Sequence, residues 1–117
     1  MLPEKLEIYS SELRAYMTFD PASIWARVGI PVCALWGAED RVVPVELSRN
    51  IIESGLRRGN NRNYFLKTFA GAGHGISFNR RPDEAWDFPR LAPGYQQTMI
   101  QWVRTVRYGA VKGRQYK

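Results

Sequence analysis

"IPVCALWGAEDRVVP", residues 30–44, is the stretch on which the reading of this chain turns. Its apolar run from Ile30 to Trp36 is short and unbroken, with no polar residue at alternate positions. That pattern predicts a strand buried on both faces, as strands of parallel sheets are. Pro31 is tolerable only at the entry to such a strand. Gly37 breaks the run, and "AEDRVVP" follows as a loop carrying Asp40.

Working outward, a helix is expected from about Val45 to Arg58, with Leu47, Ile51, Ile52 and Leu56 on its inner face. "RGNNRN" is a turn cluster. "YFLKTF" is a second short strand, and the Gly-rich "AGAGHGI" after it holds His74, the single histidine of the chain. Gly71, Gly73 and Gly75 are expected to give that loop backbone angles other residues resist. A polar, Pro-containing segment leads to a last helix from Tyr95 to Val106, stopped by Gly109. Before the first strand, Asp20 is a plausible N-cap with Pro21 at the first helical position, opening a short helix through Arg27. Leu6, Tyr9, Leu13 and Tyr16/Met17 recur at helical spacing, which predicts an amphipathic helix over residues 3–18.

The order helix, strand, helix, strand, helix implies an α/β architecture with parallel strands. Two strands buried on both faces leave two open edges, so the chain looks like part of a larger sheet. At 117 residues it is one small domain, taken as residues 1–109 with a basic tail at 110–117. The net charge of +6 is local: residues 1–87 carry eleven basic and eleven acidic residues, whereas Arg90, Arg104, Arg107, Lys112, Arg114 and Lys117 follow with no acid. Such a tail gives weak, salt-sensitive affinity for polyanions rather than a nucleic-acid-binding face. Cys33 has no disulfide partner and is expected to be a small buried hydrophobe. Trp36 and Trp102 are expected in the core, Trp86 partly exposed or at a lid, and the Arg57/Arg58 and Arg80/Arg81 pairs on solvated faces. No apolar segment approaches roughly 18 residues, so no membrane span is expected. The start, "MLPEKLEIYSSELR", is charged and helix-like rather than a signal peptide; a cytoplasmic location is the default expectation, and no residue fixes the compartment.

Ligands of open parallel sheets bind beyond the carboxyl ends of the strands. Each such end here supplies one acid–base residue, Asp40 or His74. If the strands are neighbours, a carboxylate–imidazole hydrogen bond follows, which fixes the ring tautomer and stabilises the imidazolium. The alternative for Asp40 is a carboxylate favoured by the dipole of the following helix, and both roles are compatible.

The buried strand, Gly, two residues, Asp40 and then V-P, with "GAGHG" 34 positions beyond Asp40, resembles the C-terminal third of serine hydrolases of the α/β-hydrolase fold. The likeness covers about Phe19 to Val106, and "LAPGYQQTMIQWV" is similar to that family's last helix. The resemblance implies a partial parallel sheet, its last two strands flanked by helices, with Asp40 as triad acid and His74 as general base. It implies no cofactor and no metal, and an ester, thioester or peptide substrate. The family's nucleophile sits upstream in a G-x-S-x-G elbow. None of Ser10, Ser11, Ser23, Ser48, Ser54 and Ser77 has glycine two residues away on both sides. The chain therefore reads as a C-terminal hydrolase part, inactive without a complementing N-terminal part. Alternatively it is a binding or assembly module that pairs its open edges, with a homo-oligomer expected.

Overall fold

The computed structural model describes residues 14–15, 18–78, 83, 85 and 89–108. The amphipathic helix expected at residues 3–18 lies largely outside the described residues. Trp86, Arg80/Arg81, the stop at Gly109 and the tail at 110–117 lie outside them altogether. The fold is a mixed α/β arrangement of helices around a two-stranded parallel sheet, with a separate antiparallel pair.

Helix α1 (Pro21–Trp25) starts where Asp20 Oδ1 accepts the Ala22 N–H at 3.1 Å, satisfying one of the free donors of the first turn. It ends two residues earlier than expected, because Arg27 and Val28 N–H turn back to the Ile24 and Trp25 carbonyls. Strand β1 (Val32–Gly37) pairs in parallel with β2 (Tyr64–Phe69), in register from Val32↔Tyr64 to Gly37↔Phe69. Between them runs α2 (Val45–Arg58), with Glu46 in its first turn and Arg57 and Arg58 in its last, both matched to the helix dipole. Val45, Ile52 and Leu56 face the sheet; Leu47, expected there, is 57 % exposed, because it lies on the opposite side of the first turn.

Side chains alternate across the sheet. Val32, Ala34, Trp36, Tyr64 and Leu66 pack on one face with Trp25, Val28 and α2, around the fully buried Leu56. Gly55 permits the contact between α1 and α2, since a Cβ there would press on Trp25 Cβ at 2.5 Å and the Ala22 carbonyl at 2.7 Å. Leu35 and Phe69 face the other side, with Ala72, Ile76, Ala92, Phe78 and Tyr95. That second layer was not expected in full. Strands β3 (Ser77–Phe78) and β4 (Arg90–Leu91) form a short antiparallel pair, and the Ala92 N–H donates to the Ile76 carbonyl at 2.8 Å. Helix α3 (Tyr95–Tyr108) begins there, with Tyr95 edge-on to Phe69.

Three expectations about burial are corrected. Strand β1 is half-buried except at Trp36 and Gly37, and Cys33 and Trp102 are half-buried too. For the strand residues the cause is that β1 and β2 each have one unpaired edge among the described residues, so no third strand flanks them; Trp102 lies on α3, beside an open cleft. Partial burial still pushes the Cys33 thiol pKa up, away from a reactive thiolate. Arg57 is also more than a solvated cation. It donates to the Tyr64 hydroxyl and to Glu53 Oε1, each at 2.9 Å, while the same hydroxyl donates to Glu53 at 3.1 Å. The Tyr64 contact, helped by Glu53, raises the Arg57 pKa. Asn61, read only as a turn residue, is buried and clamps the fold. Its amide donates to the Val28 and Ile30 carbonyls at 2.8 Å, and its oxygen accepts the Asn63 N–H at 2.9 Å. No helix among the described residues is long and apolar enough to cross a membrane.

Candidate functional site

Because β1 and β2 are parallel and end level with each other, the loops that follow them leave the sheet side by side. They are laced together. The Ala38 N–H donates to the Phe69 carbonyl and the Glu39 N–H to the Ala72 carbonyl, both at 2.9 Å. This approach requires Gly37: a Cβ there would overlap the carbonyl oxygens of Ala72 and Gly73.

Within the first loop Asp40 shapes its own surroundings. Oδ1 accepts the N–H groups of Val42 and Val43 at 2.8 and 2.9 Å, an Asx-type turn that carries the chain toward α2. Pro44, not Asp40, is the N-cap of that helix. The other oxygen, Oδ2, lies 2.9 Å from His74 Nδ1. Asp40's side chain is only 4 % exposed, whereas that of His74 is 58 % exposed. The acid is thus underneath and the ring outside. The Val43 N–H, then the His74 contact and the Val42 N–H, hold the Asp40 pKa below its ordinary value against the opposing effect of desolvation. Glu39, its neighbour, is exposed.

The second loop reaches its shape differently from expectation. Gly71 has a positive φ of 73°, but Gly73 and Gly75 do not lie in the left-handed region; Ile76 does, at 52°. A β-branched residue there costs on the order of 1–3 kcal/mol and persists only where its surroundings enforce it. Here the Ile76 N–H donates to the Gly73 carbonyl at 2.9 Å and the Gly73 N–H to the Ser77 carbonyl at 3.0 Å, closing a tight turn around His74 and Gly75. The Ile76 side chain is buried in the second core layer. That anchored, strained turn had no signal in the sequence.

An ionised Asp40 has no proton to give, so Nδ1 of a neutral His74 ring carries the hydrogen and Nε2 keeps its lone pair. An outward Nε2 backed by a buried carboxylate is the arrangement of a general base whose imidazolium is stabilised as it forms. Among the described residues no serine hydroxyl bonds this ring. Nor do three or more His, Cys, Asp or Glu side chains among them gather in a way that would hold a metal. A recess of about 430 Å³ lies between the first loop, the start of α2 and Thr68, whose hydroxyl accepts from Arg49 at 3.3 Å. It touches Asp40 and not His74, so it does not present a substrate to the base. No family model, curated protein or solved structure matches this chain.

Proposed function

We propose that this chain is the C-terminal part of an α/β-hydrolase-type serine hydrolase, a partial parallel sheet that contributes an acid and a base to ester, thioester or peptide hydrolysis. One observation carries the reading: the 2.9 Å contact between Asp40 Oδ2 and His74 Nδ1, made by loops leaving the carboxyl ends of two adjacent parallel strands. In this reaction His74 Nε2 takes the proton of a serine hydroxyl as its oxygen attacks the carbonyl carbon. The imidazolium then returns the proton to the leaving group, and Asp40 holds the ring and offsets its charge throughout. The serine and the donors that stabilise the oxyanion come from polypeptide outside these residues, as does the acyl pocket. The 117-residue chain alone therefore hydrolyses a nitrophenyl ester at background rate, unchanged by His74→Ala.

The test is capture of the native protein with an antibody to this chain, followed by a fluorophosphonate probe and peptide mapping. The expected result is a labelled serine in a G-x-S-x-G segment joined to or associated with this chain, with labelling abolished by His74→Ala. Labelling indifferent to His74, or no labelled serine in the captured material, would end the proposal.

A second reading has its own support. The parallel sheet has an open edge on each side among the described residues, and Ile30 and Val42, flanking β1, are 71 % and 72 % exposed. Open strand edges template pairing with another chain. On this reading the chain is an assembly module, pairing with a second copy of itself or with another protein, and the acid–histidine contact is structural.

A further inference from the structure

Helix α3 meets β2 through aromatic pairs: Tyr95 stands edge-on to Phe69 at 5.9 Å, and Trp102, two turns later, stacks on Phe65 at 6.1 Å with the planes 24° apart. Beside the Phe65–Trp102 pair lies a cleft of about 500 Å³. That is within the usual range for small-molecule sites, roughly 300–1,000 Å³.

The lining has a consistent chemistry. Phe65 and Trp102 supply an aromatic wall. Lys67 and Arg104 supply two cations, and neither is ion-paired to a carboxylate among the described residues. The Lys67 ammonium stands 4.9 Å over the Phe69 ring, which steadies it without neutralising it. Thr98, Gln101 and Thr105 complete the lining; the Thr105 hydroxyl donates to the Gln101 carbonyl at 2.8 Å, leaving its oxygen as an acceptor. Among the described residues no Asp or Glu lines the cleft, and neither β2 nor α3 contains one. A surface that pairs a flat apolar wall with two cations that no described carboxylate neutralises favours a ligand having both complements.

The geometry points to this cleft as a binding site for a flat aromatic anion, an aryl carboxylate or a mononucleotide. The ring lies on the Phe65/Trp102 wall and the carboxylate or phosphate meets Lys67 and Arg104. None of these residues belongs to the Asp40–His74 pair, so the site stands or falls independently of the hydrolase reading.

The experiment is a two-dimensional amide NMR titration of the full chain with three probes: 2-naphthoate, adenosine 5′-monophosphate, and neutral 2-naphthol. At least one anion is expected to shift Phe65, Lys67, Gln101 and the Trp102 indole N–H in a saturable way, and which one does so identifies carboxylate or phosphate as the favoured group. Lys67→Gln with Arg104→Gln is expected to weaken that binding by roughly tenfold or more. Both side chains are exposed, and an unchanged His74 ring resonance reports that the variant is folded. Trp102→Leu is expected to abolish the ring contribution. Three results would each overturn the proposal: no saturable shift from either anion, naphthol binding as tightly as naphthoate, or shifts centred on the exposed Met99, Ile100 and Val103 face instead.

Discussion

Asp40 gives its two oxygens separate work. Oδ1 fixes the local turn through Val42 and Val43, and Oδ2 serves His74. Its depressed pKa has a consequence for stability with a definite sign. A carboxyl held below its unfolded value stabilises the native state fully above that unfolded value, about 3.9, and the stabilisation is lost as pH falls through the folded one. Asp40→Asn keeps an acceptor for both N–H groups while removing the charge. Urea denaturation is expected to show the wild type more stable than this variant at neutral pH, with the gap closing below about pH 4. A gap independent of pH would mean that the carboxylate's charge contributes nothing. Asn61 makes the complementary case for a neutral group. Asn61→Ala removes three hydrogen bonds and leaves the Val28 and Ile30 carbonyls unpartnered by it. The expected cost is about 2–4 kcal/mol in the same assay, since each net bond contributes about 1 kcal/mol and orphaned buried groups add to that.

At the scale of elements, close packing overrides intrinsic preference. Gly55 lies inside α2, where alanine is favoured over glycine by about 1 kcal/mol. A Cβ at that position nevertheless collides with Trp25 and the Ala22 carbonyl, and overpacking of this kind costs about 1–3 kcal/mol. Gly55→Ala is therefore expected to lower the urea midpoint despite its better helix propensity; an unchanged or raised midpoint would show that α1 moves away freely. The same balance explains what the sequence made visible. Strands β1 and β2 announce themselves by unbroken apolar runs, and α2 and α3 by helical spacing. Asp40 and His74 stand out because each follows a strand directly, which is why their juxtaposition was foreseeable. Strands β3 and β4 were not, since two residues carry no periodicity. The left-handed Ile76, the buried Asn61 and the Arg57–Tyr64–Glu53 cluster depend on partners distant in sequence or on turn hydrogen bonds. Leu47 carries a misleading cue: it stands four residues before Ile51 and so shares its helical spacing, although the stripe that meets the sheet is Val45, Ile52 and Leu56.

Taken whole, the described part of the molecule has a thin core, with Leu56 its one large side chain below 2 % exposure, and much apolar surface uncovered. The Val32 and Ala38 N–H groups donate toward β2, to the Asn63 and Phe69 carbonyls. By alternation the N–H and C=O of Cys33 and Leu35 point to the open edge of β1. If the chain assembles through that edge, Cys33→Pro removes an outward donor while sparing the ladder to β2, a substitution edge strands tolerate. Sedimentation velocity is expected to show wild-type oligomers reduced to monomer by this change. Oligomers indifferent to it would place the contact elsewhere. Acid and imidazole meet only because Gly37 comes level with Phe69, so a slip of one residue turns each alternate side chain to the wrong layer and parts the pair as well. The sole histidine of the chain is thereby a built-in gauge of correct strand alignment: its ring resonance reports, in one signal, whether the sheet has been assembled as drawn.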